Sequence, residues 1–397
     1  MKRIFKKTFT RFHFIVSYLF FCLLISFTSF PIRATIVIDS PYVSKAYSYK
    51  GQVHTHTTQS DGDASPYDAV TIYKNAGYDF VSLTDHISEP WVPDDKKVIT
   101  KNPGVTGILF IPGTEQTTSY GATGDIVWLN AAIKETNPWI SPQEMIDVIN
   151  KNNGISILAH PWAESHGMPN SILDNLKNYT GVETYSHQEV WDRILSSGKK
   201  VWGFSVSDCH NYSDINCMKK FIRVSANDLN VEEILKNIKN GNFYSARIVN
   251  KDFNLKVSVS DGNIIAATDI GTTIEFIGIN GNIKKRVLSS KSVSFSPNGS
   301  EKYIRVKAKG SDGSLVWSNP LFISQVTPTI TLTVKPIVTP IVTIKIGDAN
   351  GDNKADLIDF SIWKKEYLNN QIEKADFNND KKIDLVDFSV WKNSYLN

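Results

Sequence analysis

Five histidines and three acidic residues, gathered in a few short segments, have the types and spacing of a divalent-metal site. His54 and His56 sit in VHTHTTQSDG with Asp61 behind them, and His86 ends SLTDH. Glu115 ends ILFIPGTE, His160 lies in ILAHP, and Asp208 and His210 flank the cysteine of SVSDCH. Neutral imidazole is the commonest side-chain ligand of zinc, manganese and iron. Catalytic centres mix it with carboxylates and leave a coordination position open. His54 and His56 are two residues apart, so on an extended strand they face one side and can grip the same cation. A carboxylate placed as Glu115 is can offer one oxygen to each of two ions. Two close cations acidify water and stabilise charge developing on a phosphoryl or carbonyl oxygen, so the chemistry expected is metal-dependent hydrolysis. Ser207 stands beside Asp208, but no base is arranged for a serine nucleophile.

The elements that must carry these residues alternate. From Gly51 to Ala246, QVHTH, FVSLTDH, ILFIPGTE, ISILAHP, VETYS and VWGFSVSDCH read as strands. Between and after them, SPYDAVTIYKNAG, SPQEMIDVINKNNG, QEVWDRILSSGK and NVEEILKNIKNG read as helices, an α/β pattern. Ser65 and Ser141 precede prolines as N-caps, and Gly77, Gly154 and Gly241 stand where C-terminal caps belong. The metal candidates fall at the C-terminal ends of strands, the face on which α/β barrels build active sites. Beyond residue 247 the period changes to two, in NLKVSVSDG, TTIEFIGING and YIRVKAKGSDGSLVWSNPLFI, which predicts a small all-β sandwich over 247–326. Packing against the barrel or binding carbohydrate would both suit it. Residues 327–345, rich in threonine, proline and β-branched types, read as an extended linker.

The chain of 397 residues is too long for one core, and its 41% hydrophobic and 21% charged residues are globular in type. Its formal charge of +3 is concentrated at the start, in Lys2, Arg3, Lys6, Lys7 and Arg11, so no nucleic-acid partner is expected. That basic stretch and the apolar run Phe12–Phe30 read as an export signal over 1–34, either cleaved near Ala34 or retained as the only membrane anchor. A secreted or cell-surface location follows. Cys209 and Cys217 can pair in an oxidising compartment or remain free thiols beside the metal site. His166 and His187 suit a general acid, a substrate contact or plain surface; Trp91 suits a pocket wall or ordinary packing.

The last segment, 346–397, repeats at a spacing of 28 residues. Asp348, Asn350, Asp352, Asp356 and Asp359 occupy loop positions 1, 3, 5, 9 and 12, and Asp376, Asn378, Asp380, Asp384 and Asp387 repeat them. The carbonyls of Lys354 and Lys382 fall at position 7, so each loop is expected to wrap one calcium ion. Asn353 and Lys381 replace the EF-hand glycine, and Asp replaces its final Glu. With one helix after each loop, the segment resembles a dockerin, which implies a cohesin-bearing scaffold or surface protein as partner. In that family positions 10 and 11 carry recognition; here they are Leu357, Ile358, Leu385 and Val386. Phe360, Trp363, Tyr367, Phe388, Trp391 and Tyr395 fit either a helix core face or a partner surface.

The ordered strings HTH, SDG, TDH, GTE, AHP and SDCH over 46–246 resemble the PHP (polymerase and histidinol phosphatase) superfamily of metal-dependent hydrolases. IPGTEQTT, VETYS and WDRILSSGKKVWGFSVSDCH are similar to its CehA/McbA-like branch. The resemblance implies a distorted (β/α)7 barrel holding two or three Zn, Mn or Fe ions on His54, His56, Asp61, His86, Glu115, His160, Asp208 and His210. Where the family usually has a further histidine, TSYGATGDIVWLN offers Asp125, a harder ligand that can shift metal preference. It implies further a phosphoesterase working through a metal-bridging hydroxide, with Glu115, Asp208 and His210 catalytic. Amide or carbamate ester hydrolysis, or a non-catalytic metal-stabilised binding component, are the alternatives.

Overall fold

The structure, a computed structural model, describes residues 35–86, 97–119, 124–133, 137, 139–162, 167–185, 187–326 and 345–396. The expected leader, the linker as far as residue 344, Trp91 and His166 lie outside the described residues. The chain divides into two units, Met1–Pro328 and Thr329–Asn397. Among the described residues no helix is long and apolar enough to cross a membrane.

The first unit is mixed α/β. A five-stranded sheet runs in order through β5 (Gly113–Thr117), β6 (Asp125–Leu129), β7 (Ile155–Leu158), β8 (Gly181–Glu183) and β9 (Trp202–Phe204). A second sheet, of twelve strands, contains β2 (Tyr47–Gln52), β3 (Phe80–Val81) and β4 (Leu109–Phe110), which pair in parallel, and the antiparallel β10 (Lys220–Ala226) and β11 (Phe243–Arg247). Two isolated parallel bridges, Thr55 with Cys209 and His86 with Glu115, join strand continuations beyond the regular ladders. Each bridge lies among the metal candidates: Thr55 is flanked by His54 and His56, and Cys209 by Asp208 and His210.

The helices begin where capping chemistry requires. Ser65 accepts the Asp68 N–H and Ser141 forms a full capping box with Glu144, each with proline at the first helical position, opening helices Pro66–Asn75 and Pro142–Lys151. Gly77 and Gly241 adopt left-handed φ of 74° after their helices. Gly154 does not: Asn153 takes the left-handed position (φ 56°), and a Cβ on Gly154 would meet Trp128 Nε1 at 2.3 Å, so that glycine is required by packing rather than by capping. Several expected strands are shorter than their apolar runs, because VHTH, SLTDH and SVSDCH leave the ladder to turn their side chains toward the site.

Residues 247–326 are β apart from one 3-10 turn at Ile279–Gly281, as their period of two requires, but their strands continue the larger sheet. β16 (Leu315–Ser318) pairs with β11, with Tyr244 opposite Ser318, and β15 (Tyr303–Lys309) pairs with β16. A strand at Thr35–Asp39, ahead of the expected hydrolase segment, pairs antiparallel with Leu321–Val326. Arg305 forms a buried two-point ion pair with Asp192, Nη2 to Oδ2 at 2.6 Å and Nε to Oδ1 at 2.8 Å, while Tyr303 donates to the same Oδ1 at 2.9 Å. This ties the later strands to helix Gln188–Ser196.

In the second unit, helices Leu357–Asn369 and Leu385–Leu396 follow the two acidic loops. Trp363 donates its ring N–H to the Asp384 carbonyl at 3.2 Å, and Trp391 donates to the Asp356 carbonyl at 2.9 Å, so each repeat pins the loop of the other. Both tryptophans are buried, which makes the aromatic set largely a helix core.

Candidate metal centre

All nine sequence-derived candidates of the first unit fall into three overlapping groups of ligand atoms. They are His56, Asp61, His86 and His210; His54, His56, Glu115 and Asp208; and Glu115, Asp125 and His160. His56 belongs to two groups, and Glu115 to two. Glu115 Oε2 lies 2.9 Å from His54 Nε2 and 3.1 Å from His56 Nε2, while Oε1 lies 3.0 Å from His160 Nε2. Its two oxygens thus face different donor groups.

The middle group tests whether a cation fits. His54 Nε2 and His56 Nε2 are 3.1 Å apart, and Asp208 Oδ1 lies 3.3 and 3.1 Å from them. A tetrahedral ion with bonds of about 2.0–2.1 Å has edges of about 3.3–3.4 Å. Five measured edges run from 2.9 to 3.3 Å, one at that figure and four a few tenths of an ångström below it, so the donors need to part only slightly to take an ion. Asp208 Oδ1 is buried and makes no hydrogen bond of acceptable geometry despite those short distances. Two ring nitrogens converging with two carboxylate oxygens on one point suit a cation better than they suit one another.

Local backbone explains the aim of the ligands. Gly62 in the SDG turn lies so close to the His56 carbonyl that a Cβ would approach its oxygen to 2.5 Å. His160 and Asp208 have positive φ, 22° and 51°, uncommon for residues with a side chain and typical of functional sites. A disulfide joins Cys209 to Cys217, deciding between the two alternatives left open for this pair. The loop it closes is held by the His56 N–H donating to the Cys209 carbonyl at 2.9 Å.

Electrostatics follow from packing carboxylates against imidazoles. Burial alone would raise the Glu115 carboxyl, but His54, His86 and His160 hold it well below the usual carboxylate range. Burial would likewise lower His54, yet Glu115, Asp208 and Glu183 raise it well above an ordinary histidine. His160, opposed by burial but hydrogen-bonded to Glu115, is raised to about 9. His86 is lowered to about 4 because burial prevails there over Glu115. A cation held here would compete with protons at His54 and His160.

Two residues of the site escaped the sequence reading. Glu183, fully buried, sits 2.5 Å from His54 Nδ1 and accepts the His160 N–H at 2.8 Å, orienting two candidate ligands at once. Asp85 accepts the Thr57 N–H at 2.6 Å and the hydroxyls of Thr57 and Ser60, fixing the turn after His56. Their only sequence signal was an acidic residue inside an apolar strand string, VETYS or SLTDH. His187 stacks on Trp162 at 4.8 Å, outside the three groups.

In the acidic loops of the second unit, the position-12 carboxylates organise the backbone. Asp359 accepts the N–H groups of Ala349 and Asp356 at 2.8 and 2.7 Å, and Asp387 those of Phe377 and Asp384 at 2.9 and 3.0 Å. Asn353 and Lys381 take left-handed φ of 67° and 63°, so they do the turning that glycine does in an EF-hand.

No curated protein matches this chain. Among solved structures, a two-domain protein of Bacteroides vulgatus ATCC 8482 containing a predicted PHP-like metal-dependent phosphoesterase is similar at 14% identity and TM-score 0.41, over 74% of this chain and 98% of its own. A structure from Bifidobacterium adolescentis ATCC 15703, assigned to a metal-dependent phosphoesterase by prediction, is similar at 16% identity and TM-score 0.31, covering 40% and 87%. An amidohydrolase from Chromobacterium violaceum is similar at 15% identity and TM-score 0.33, covering 41% and 88%. Residues 346–396 match the model of the dockerin type I domain, and it is to that family that the C-terminal segment of the chain belongs.

Proposed function

We propose that the first unit is an exported metal-dependent hydrolase, a phosphoesterase before an amide or carbamate esterase, attached through its dockerin to a cohesin-bearing scaffold or surface protein. The reading rests on one observation: the three donor groups overlap through His56 and Glu115, so neighbouring ions would share ligands. The parallel runs β2–β3–β4 and β7–β8–β9 and the two parallel bridges support a distorted (β/α)7 barrel of PHP type over 46–246, the distortion lying at β6, which is antiparallel to both its neighbours, with 247–326 as its appended β segment. Membership of the CehA/McbA-like branch rests on the sequence strings.

His54, His56, Asp61, His86, Glu115, Asp125, His160, Asp208 and His210 would hold two or three Zn, Mn or Fe ions, which when bound supply Lewis acidity toward a phosphoryl oxygen and acidify water. Glu115 and Glu183 keep the imidazole nitrogens aimed inward, and Asp208 adds negative charge to the same point. His210 is half-exposed, with Nε2 3.2 Å from Asp61 Oδ2, and closes the solvent side of the donor set. In the dockerin, Asp348, Asn350, Asp352, Lys354, Asp356 and Asp359, with their counterparts Asp376, Asn378, Asp380, Lys382, Asp384 and Asp387, would hold two calcium ions. Leu357, Ile358, Leu385 and Val386 are exposed and available to a partner.

The test is metal analysis with hydrolysis of phosphomonoester, phosphodiester and carboxylic ester substrates, comparing wild type with His54→Ala and Asp208→Ala. Metal-dependent turnover lost in both variants is expected. A full metal complement with no turnover on any of them would leave the metal-stabilised binding component as the reading. Calcium-dependent capture by a cohesin, abolished by Asp348→Ala with Asp376→Ala, tests the tail.

A further inference from the structure

Lys220 opens β10 and Arg247 closes β11, and the antiparallel register sets them directly opposite each other. Like charges so placed repel across the strands. Their neighbours in alternation, Ile222, Val224 and Phe243, are buried with Phe204 and Val206 of the segment that leads to Asp208, so the two cations lie on the inner face. The Gln52 side chain donates to the Lys220 carbonyl at 3.0 Å, holding this edge level with the strand end that precedes His54.

Neither cation has a carboxylate within ion-pair reach among the described residues, and Arg247 Nε is buried there without a hydrogen-bond partner. The Lys220 ammonium lies 3.7 Å from the centre of the Tyr185 ring. Tyr185 packs edge-on to Trp162 at 5.3 Å. Tyr185 follows Glu183 by two residues and Trp162 follows His160 by two, so this wall grows from segments of the metal centre itself. Burial pulls the ammonium below the ordinary lysine range, while Asp208 and Glu183, near enough to act on it, pull back. Two half-buried cations on opposed residues, one with a buried unsatisfied donor, are stabilised by an oxyanion between them, which a guanidinium grips with two parallel N–H bonds.

We infer that Lys220 and Arg247 form an oxyanion subsite that receives the phosphoryl group of a phosphoester beside the metal-donor groups, with Tyr185 fixing the ammonium. The assignment of the oxyanion to a substrate rests on the hydrolase reading above; the subsite itself does not. It selects anionic phosphoesters over neutral carboxylic esters.

The test uses the full-length, metal-loaded protein with Lys220→Met and Arg247→Met. Binding of inorganic phosphate is followed by calorimetry, KM and kcat with p-nitrophenyl phosphate and p-nitrophenyl acetate, and metal content by elemental analysis. Phosphate affinity is expected to fall about ten- to hundred-fold in each variant, the loss of one charge-assisted contact. KM for the phosphate ester should rise in parallel, with the acetate KM and the metal content unchanged. Should Arg247→Met not fold, Arg247→Lys, which keeps the charge but not the fork, carries the comparison. Folded, metal-replete variants with wild-type phosphate affinity overturn the subsite, even if turnover is intact. Wild type that hydrolyses no ester yet binds phosphate in a Lys220- and Arg247-dependent way overturns the hydrolase reading and leaves the subsite standing.

Discussion

Replacing Glu183 with glutamine removes one charge and almost no volume from the interior of the first unit. The carboxylate receives contacts from two directions, His54 Nδ1 at 2.5 Å from Oε1 and the His160 N–H at 2.8 Å from Oε2. Because His54 Nε2 faces the converging donor group, its proton belongs on Nδ1, a tautomer inferred from these contacts. Both neighbours are then donors, and glutamine has a single acceptor oxygen, so either amide orientation presses an NH2 group against a donor. One charge-assisted hydrogen bond is lost and a buried donor is left unsatisfied, at a cost of about 1.5–3 kcal/mol. Carried into metal binding, that is roughly ten- to hundred-fold in affinity, the size found for groups that orient a liganding imidazole. The assay is competition for zinc against a chromophoric chelator, beginning from protein stripped of metal and checked for fold by circular dichroism. A folded Glu183→Gln variant whose affinity stays within about two-fold of wild type would refute the reasoning.

Four further outcomes are expected. Arg305→Met leaves Asp192 buried and unpaired, so urea unfolding of the first unit should lose about 3–5 kcal/mol, most of it restored by adding Asp192→Leu; a loss under about 1 kcal/mol would show the pair to be dispensable. Lys50 is lowered by burial from 10.5 to about 8, so between those values the unfolded chain binds the extra proton and stability rises with pH. That rise should be absent in Lys50→Met when urea midpoints are compared across the window, and an identical slope in both proteins would exclude Lys50 as its source. Reducing Cys209–Cys217 opens a short loop worth roughly 2–3 kcal/mol of chain entropy and frees the segment carrying Asp208 and His210, so metal retention through dialysis should fall with the melting temperature. Chelating calcium in the full chain should lower a separate calorimetric transition of the dockerin, and Asp348→Ala with Asp376→Ala should make that transition indifferent to calcium.

Much of this protein was legible because its chemistry is local. The two-residue step from His54 to His56, the serine and proline that start two helices, and acidic residues at fixed places in a 28-residue repeat all act within one turn or one loop. Spacing is then nearly geometry. HTH, TDH, GTE, AHP and SDCH supplied seven candidate ligands, SDG added Asp61 and the segment after GTE Asp125, and the structure gathers all nine.

What remained illegible depends on which distant group arrives opposite. Glu183 orients His54 across 129 residues of chain, and no short pattern states that a buried glutamate has an imidazole to meet. The cysteine pair allowed both a bond and free thiols until the loop from Asp208 brought the sulfurs together. The segment after residue 247 announced its strands by their period, but only tertiary pairing decided that they extend the larger sheet through β11 and β16. Lys220 and Arg247 were two ordinary cations in the sequence; strand register alone set them face to face on the inner wall. Sequence by itself determined which side chains could bind metal and where strands and helices begin, since those properties belong to residues and their near neighbours. The tertiary structure decided which carboxylate lies between donor groups, which one orients two imidazoles and which cations lack a carboxylate, because burial and opposition exist only once the chain has folded.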